Sequence, residues 1–211
     1  MAPVGEEPSR RRLVVGISGA SGAAYGIRLL EILRTLEIET HLVLTRSAEL
    51  TIAYETDLKT TDVKAMADVC HPVKDLGAAI SSGSFRTLGM VVAPCSVRSM
   101  SEIATGVTSN LLTRAADVTL KERRPLVLMV RETPFHTGHL KTMLALSEMG
   151  AIVAPPLPAF YNRPETIDDI LDHNCGRVLD LFGIDTDRVK RWRETDSDVP
   201  VRRVRRRAPR E

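Results

Sequence analysis

Two short turns rich in glycine and serine carry the residue types best suited to holding an anion. In VVGISGASGAAYG, residues Gly16, Gly19 and Gly22 surround the end of an apolar run. Glycines there let backbone N–H groups approach a ligand, and a helix starting at such a turn offers the positive end of its dipole. Ser18 and Ser21 add hydroxyl donors. The spacing differs from the dinucleotide G-x-G-x-x-G, and the second apolar run ends in Thr45-Arg46 with no ribose-binding acid. No Gly-Lys-Ser/Thr is present, which removes the P-loop. A phosphate-bearing ligand other than NAD is favoured over a turn with no ligand. The second turn, PCSVRS, offers Ser96, Ser99 and several backbone donors at a helix start. Alone it reads as a helix cap. Together, two such turns could hold the two ends of a mononucleotide.

Other groups invite chemistry less strongly. His136 and His139 stand three apart in PFHTGHL, but no carboxylate or cysteine has a spacing that completes a metal site, so no metal is expected. Cys95 precedes a helix start that could lower its pKa, which makes it a candidate nucleophile of second rank. KERR (121–124) reads by itself as an exposed helix end whose cations complement the dipole.

The elements that must position these turns alternate. LVVGIS (13–18), ETHLVLT (39–45), GMVVAPCS (89–96), PLVLMV (125–130) and AIVAPP (151–156) read as strands. Helical spacing runs through 22–36, and roughly through 47–55, 101–121, 137–149 and 166–182. Short, nearly continuous apolar strands between helices predict an α/β fold: a single-domain, doubly wound, mainly parallel Rossmann-like sheet. In such a sheet the two turns can face one crevice at a topological switch point. APPLPAFYNRP (154–164) interrupts the pattern as a loop that cannot be helical and is placed for ligand contacts.

With 211 residues, the chain is long enough for one domain with its own core, and 43% hydrophobic with 27% charged residues is ordinary for a globular protein. No apolar run reaches the roughly 18 residues of a membrane span, and the start MAPVGEEPSRRR is unlike a secretory signal, so a cytoplasmic protein is expected. Cys70, Cys95 and Cys175 are odd in number and widely spaced, which suits neither disulfides nor zinc; Cys70 and Cys175 read as buried thiols. The net charge of +2 is uneven, because residues 193–211 hold seven arginines against four acids. That tail could touch nucleic acid or an anionic membrane, but its composition favours a solvated, disordered segment. The expected organisation is a disordered extension at 1–12, a domain at 13–192 and a basic tail at 193–211.

In order along the chain, GISGASGA, ETD (55–57), SSGSF (81–85), PCS (94–96), LLTRAADVTLKERRPLVLMVRETP (111–134) and PAFYNRP (158–164) resemble the flavin prenyltransferase (UbiX-like) family of flavoproteins. The likeness runs from about Leu13 to Trp192 and implies an enzyme that transfers a dimethylallyl group from dimethylallyl phosphate to N5 and C6 of reduced FMN. It also implies a homo-oligomer, typically a dodecamer with FMN at subunit interfaces. The product, prenylated FMN, would serve a UbiD-type decarboxylase. A flavin-dependent cysteine decarboxylase and a non-catalytic FMN-binding module are the alternatives. The first would want a catalytic histidine after the first helix and an Asn-rich turn in place of PCSVRS, and neither is evident.

What the resemblance implies residue by residue is as follows. FMN contacts fall on Gly19, Ala20, Ser21, Thr45, Ser96, Val97, Arg98, Ser99 and Arg131. The donor phosphate falls to Lys121, Arg131, Tyr161 and Arg177, with Arg114 reaching across a subunit interface. Only the resemblance moves Lys121 out of the exposed helix end; Arg123 and Arg124 stay there. Glu132 takes the role of general acid to the departing phosphate, which calls for a raised pKa. Glu55 becomes the acid near the reacting flavin edge, with Ser21 placed to shuttle a proton. Trp192, the only tryptophan, becomes part of an aromatic wall that keeps water from the prenyl group.

Overall fold

The structure, a computed structural model, describes residues 11–189 and 191. Residues 1–10, Trp192 and the basic stretch beyond it lie outside the described residues. The sheet has six strands, β1 (Arg11–Ile17), β2 (Ile38–Leu44), β3 (Val69–His71), β4 (Gly89–Cys95), β5 (Leu126–Val130) and β6 (Ile152–Val153), all parallel, in the order β3-β2-β1-β4-β5-β6. The chain first builds outward from β1 through β2 to β3. It then crosses to the other side of β1 and builds outward again from β4. Between the ends of β1 and β4 the winding reverses, which is where doubly wound sheets open a crevice.

Both faces of the sheet are covered, and strand alternation divides them. Leu13, Val15, Ile17, Val91, Ala93, Val127 and Met129 point to one side, under helices α1 (Ala23–Arg34) and α7 (Ile167–Asp180). Val14, Val43, Met90, Val92, Leu126 and Leu128 point to the other, under α4 (Val97–Ala104), α5 (Leu111–Lys121) and α6 (Thr137–Glu148). Two glycines set the close approaches. A Cβ on Gly26 of α1 would overlap the Ala93 carbonyl oxygen, so that helix can lie against β4 only with glycine there. Gly22, at the start of α1, has φ +98°, a left-handed conformation that glycine adopts without strain.

The structure corrects several element boundaries. The predicted helix at 101–121 is two helices, α4 and α5. Gly106 (φ +70°) leaves the first, and the Asn110 side chain accepts from the Thr113 N–H to cap the second. AIVAPP supplies only a two-residue strand, because Pro155 and Pro156 bring no N–H to the ladder. The Pro-rich loop does contain one 3-10 turn, Phe160–Asn162. Helices α2 (Arg46–Glu55) and α3 (Thr60–Lys64) follow β2, and β3 and α3 carry no apolar pattern long enough to read. Among the described residues, no helix is long and apolar enough to cross a membrane.

Candidate functional site

Since all strands are parallel, β1, β2, β4 and β5 end on one edge, and backbone bonds tie those ends together. The Thr45 N–H donates to Ile17 O (3.1 Å), the Ser18 N–H to Pro94 O (3.2 Å), and the Arg131 N–H to Cys95 O (3.1 Å). Ser18 is the bolt at the switch point. Its buried hydroxyl donates to Pro94 O at 2.8 Å and accepts from the Ser96 N–H at 2.7 Å. It joins the two polar turns to each other, so its hydroxyl is not the ligand donor that its position in the sequence suggested.

The first turn presses against α2. A Cβ on Gly19 would overlap Ser47 Cβ, and Thr51 Oγ1 donates back to Gly19 O at 3.4 Å. At the start of α1, an anion is already in place, and it belongs to the chain. Glu55, the last residue of α2, has one carboxylate oxygen 2.8 Å from the Gly22 nitrogen and 3.0 Å from the Ala23 nitrogen. Partial burial would raise the Glu55 pKa. Hydrogen bonds from the Ser21 side chain and the Gly22 and Ala23 N–H groups, with the field of Arg131, more than offset that and hold it below the ordinary value. The sequence expectation of an external anion on these N–H groups is therefore corrected: Glu55 occupies the positive end of this helix. Glu55 and Ser21 are hydrogen-bonded to each other, and Arg131 is close enough to act on both Glu55 and Tyr25.

Two other helix starts face the crevice. Thr45 caps α2 by accepting from the Ala48 N–H at 3.1 Å. Ser96 caps α4, its hydroxyl accepting from the Ser99 N–H at 3.3 Å and donating to Ser99 Oγ at 3.2 Å. The Ser96 hydroxyl and Ser99 N–H are thus committed internally. The Val97 and Arg98 N–H groups, in the first turn of α4, have no acceptor within the helix. The Arg98 side chain is exposed and pairs with Glu102 at 2.9 Å, so what this position offers the crevice is its backbone N–H.

The proposed phosphate-gripping cations do not converge within one chain. Lys121 closes α5 and pairs with Glu122 beside Gly83. Residues 121–124 lead into β5, whereas Arg131 follows its end, so the two sit on opposite edges of the sheet. Over the five residues of β5 the separation is roughly 16 Å. Arg114 pairs with Asp117 at 2.7 Å on α5. Arg177, in the last turn of α7, pairs with Asp180 at 2.5 Å, and the Tyr161 hydroxyl lies 2.9 Å from His173 Nε2. Glu132 accepts from the Thr133 N–H at 2.9 Å. Trp192 lies outside the described residues.

Three further readings change. Arg124 is not a solvated helix end: its guanidinium donates to Phe85 O and Gly83 O, both at 2.7 Å, and pins the SSGSF loop. Cys95 is fully buried, and that burial pushes its pKa up to about 12, the reverse of an activated thiol. Cys175 is buried as expected, but Cys70 is only half-buried. His136 caps α6 through Nδ1 and stacks on His139 with ring centroids 3.6 Å apart.

Comparison with known proteins identifies the family. The flavoprotein family model matches residues 1–179. The chain is 56% identical over 181 residues to the flavin prenyltransferase UbiX of Thauera aromatica, covering 86% of this chain and 93% of that one. It is 57% identical over 175 residues to flavin prenyltransferase UbiX of Escherichia coli K12, covering 82% and 93%. Among solved structures, AnUbiX (PadA1) in complex with FMN and dimethylallyl pyrophosphate superposes with a TM-score of 0.86 at 50% identity, covering 87% of this chain and 97% of that one. A dodecameric FMN-dependent UbiX-like decarboxylase from E. coli O157:H7 superposes at 0.84 with 52% identity, covering 86% and 98%. The peptidyl-cysteine decarboxylase EpiD, at 15% identity and a TM-score of 0.59 over 82% and 98% of the two chains, shares the fold alone. The chain belongs to the flavin prenyltransferase (UbiX-like) family of flavoproteins.

Proposed function

We propose that this chain is a flavin prenyltransferase that joins the dimethylallyl group of dimethylallyl phosphate to N5 and C6 of reduced FMN. The product serves a UbiD-type decarboxylase. The observation that carries this reading is the likeness, over most of both chains and at half identity, to a protein that holds FMN and dimethylallyl pyrophosphate together.

The switch-point crevice fits FMN by its donor set. The Val97 and Arg98 N–H groups at the start of α4, the hydroxyls of Thr45 and Ser99, the backbone of Gly19 and Ala20 and the Arg131 guanidinium all belong to loops tied at the same strand ends. Reduced FMN supplies nucleophilic N5 and C6. The protein supplies position, charge and dryness, worth several kcal/mol each in well-built sites. Glu55, held ionised by Ser21 and two backbone N–H groups, is ready to accept a proton from the flavin edge, with Ser21 as the first carrier. Arg131, Tyr161 and Arg177 bind the donor phosphate where the assembled copies bring them together, and Glu132 protonates it as it leaves. Lys121 and Arg114 serve the crevice of a neighbouring copy, which makes the homo-oligomer, a dodecamer as in the E. coli relative, part of the active site. The wall around the prenyl group is the role that the resemblance gives Trp192, which lies outside the described residues. Three free cysteines suit the reducing cytoplasm, where we place the enzyme.

The test is to incubate the purified protein with reduced FMN and dimethylallyl phosphate, in parallel with the pyrophosphate, and to extract the flavin for mass spectrometry. The expected result is a gain of one isoprene unit with at least one donor. A flavin mass unchanged from FMN with both would overturn the assignment.

A further inference from the structure

Tyr161, assigned above to the donor phosphate, is tied to a buried partner. Its hydroxyl lies 2.9 Å from Nε2 of His173, and the two rings meet edge to face with centroids 5.6 Å apart. Tyr161 comes from the 3-10 turn in the Pro-rich loop and is 46% exposed; His173 comes from α7 and is 6% exposed. On α7, His173 stands four residues before Arg177, the spacing that puts both on one helix face. Burial lowers the His173 pKa, and the Arg177 guanidinium lowers it further against the opposing pull of Asp180, so the imidazole is neutral at neutral pH.

A neutral imidazole has one N–H and one bare nitrogen, and which of them faces the phenol decides what the phenol can do. If Nε2 is bare, Tyr161 must give it its only hydrogen and presents lone pairs outward, which repel a phosphate. If Nε2 carries the hydrogen, the phenol oxygen accepts it, and the phenol O–H turns outward as a donor. Only the second state suits a dianion. We propose that His173 is a positioning residue whose Nε2–H holds Tyr161 as a hydrogen-bond donor to the phosphate of the prenyl donor. This rests on Tyr161 being a donor-phosphate ligand.

The test is steady-state prenylation by the FMN-loaded, full-length oligomer with dimethylallyl phosphate varied. Tyr161→Phe should raise KM for the donor about tenfold, the loss of one hydrogen bond to a charged group. His173→Leu should raise it by a similar factor and add nothing in the Tyr161→Phe background. His173→Gln, whose amide can donate from nearly the same place, should stay near wild type, and bound flavin should be unchanged throughout. If His173→Leu does not yield folded holoenzyme, His173→Asn, polar but too short to reach the phenol, takes its place. A raised KM in Tyr161→Phe with a silent His173→Leu would overturn the role of His173 alone, as would effects that multiply in the double variant. A Tyr161→Phe enzyme with wild-type KM would overturn the Tyr161 assignment and this inference together.

Discussion

The carboxylate of Glu55 at the start of α1 gives a stability effect whose size and pH dependence both follow from geometry. It accepts from two backbone N–H groups at 2.8 and 3.0 Å. Glu55→Gln keeps one oxygen acceptor there but removes the charge, turning charge-assisted hydrogen bonds into neutral ones and taking an anion from the helix N-terminus. The first change costs about 1 kcal/mol and the second about 0.3–1 kcal/mol. Glu55 is open to solvent on one side, so screening brings the total toward about 1 kcal/mol. For a chain of this size that lowers the unfolding midpoint by about 2–4 °C. The sign with pH is fixed by the direction of the shift. The folded-state pKa is held below the ordinary 4.5, so the stabilisation is complete above that value and disappears as pH falls through the folded-state pKa. Thermal unfolding followed by circular dichroism should therefore separate wild type from Glu55→Gln at about pH 7 and narrow the gap at about pH 3. An equal gap at both pH values, or none at pH 7, would refute the argument that an ionised Glu55 caps this helix.

Two more outcomes follow from burial and topology. Under native conditions iodoacetamide should label Cys70, the half-buried thiol, and leave Cys95 and Cys175 untouched until denaturant is added, read by peptide mass spectrometry; native labelling of Cys95 would contradict its burial and raised pKa. Mixed oligomers assembled from equal parts of Lys121→Ala and Glu132→Gln chains should recover about a quarter of wild-type activity, because sites drawing those residues from two copies sort independently. Mixtures as inactive as either parent would place both residues in one copy's site.

How much could be read from the sequence varied with how local the determining physics is. The strand cores Leu13–Ile17, Leu42–Leu44 and Leu126–Val130 are near-continuous apolar runs because both sheet faces are covered, and they were legible. β3 is three half-buried residues at the sheet edge with no run to detect. The break between α4 and α5 did leave signals, Gly106 and the Asn110/Thr113 pair, but apolar positions on either side masked them by continuing a helical pattern. Ser18 and Glu55 show the limit more sharply. Residue type marks Ser18 as a hydroxyl donor at a phosphate turn, and only the resemblance singles out Glu55, but their hydrogen bonds run to Pro94 and Ser96 and to Gly22 and Ala23, partners that sequence spacing does not record because the crossover from β1 to β4 and the return from α1 to α2 bring them together.

The same limit explains why Lys121 and Arg131 seem neighbours in the sequence and are not. Ten positions separate them, but β5 runs between them, and in a parallel sheet a strand's beginning and end lie on opposite edges. No rotamer of Lys121 spans roughly 16 Å back to its own crevice, since an extended lysine side chain reaches about 6 Å from its Cα. A pocket that uses both residues therefore has to be closed by a second copy, and on the proposed roles the block LLTRAADVTLKERRPLVLMVRETP contributes to two different crevices. If the proposed roles hold, association precedes catalysis, and a dissociated chain that held flavin at the switch point would lack the Lys121 ammonium assigned to the donor phosphate.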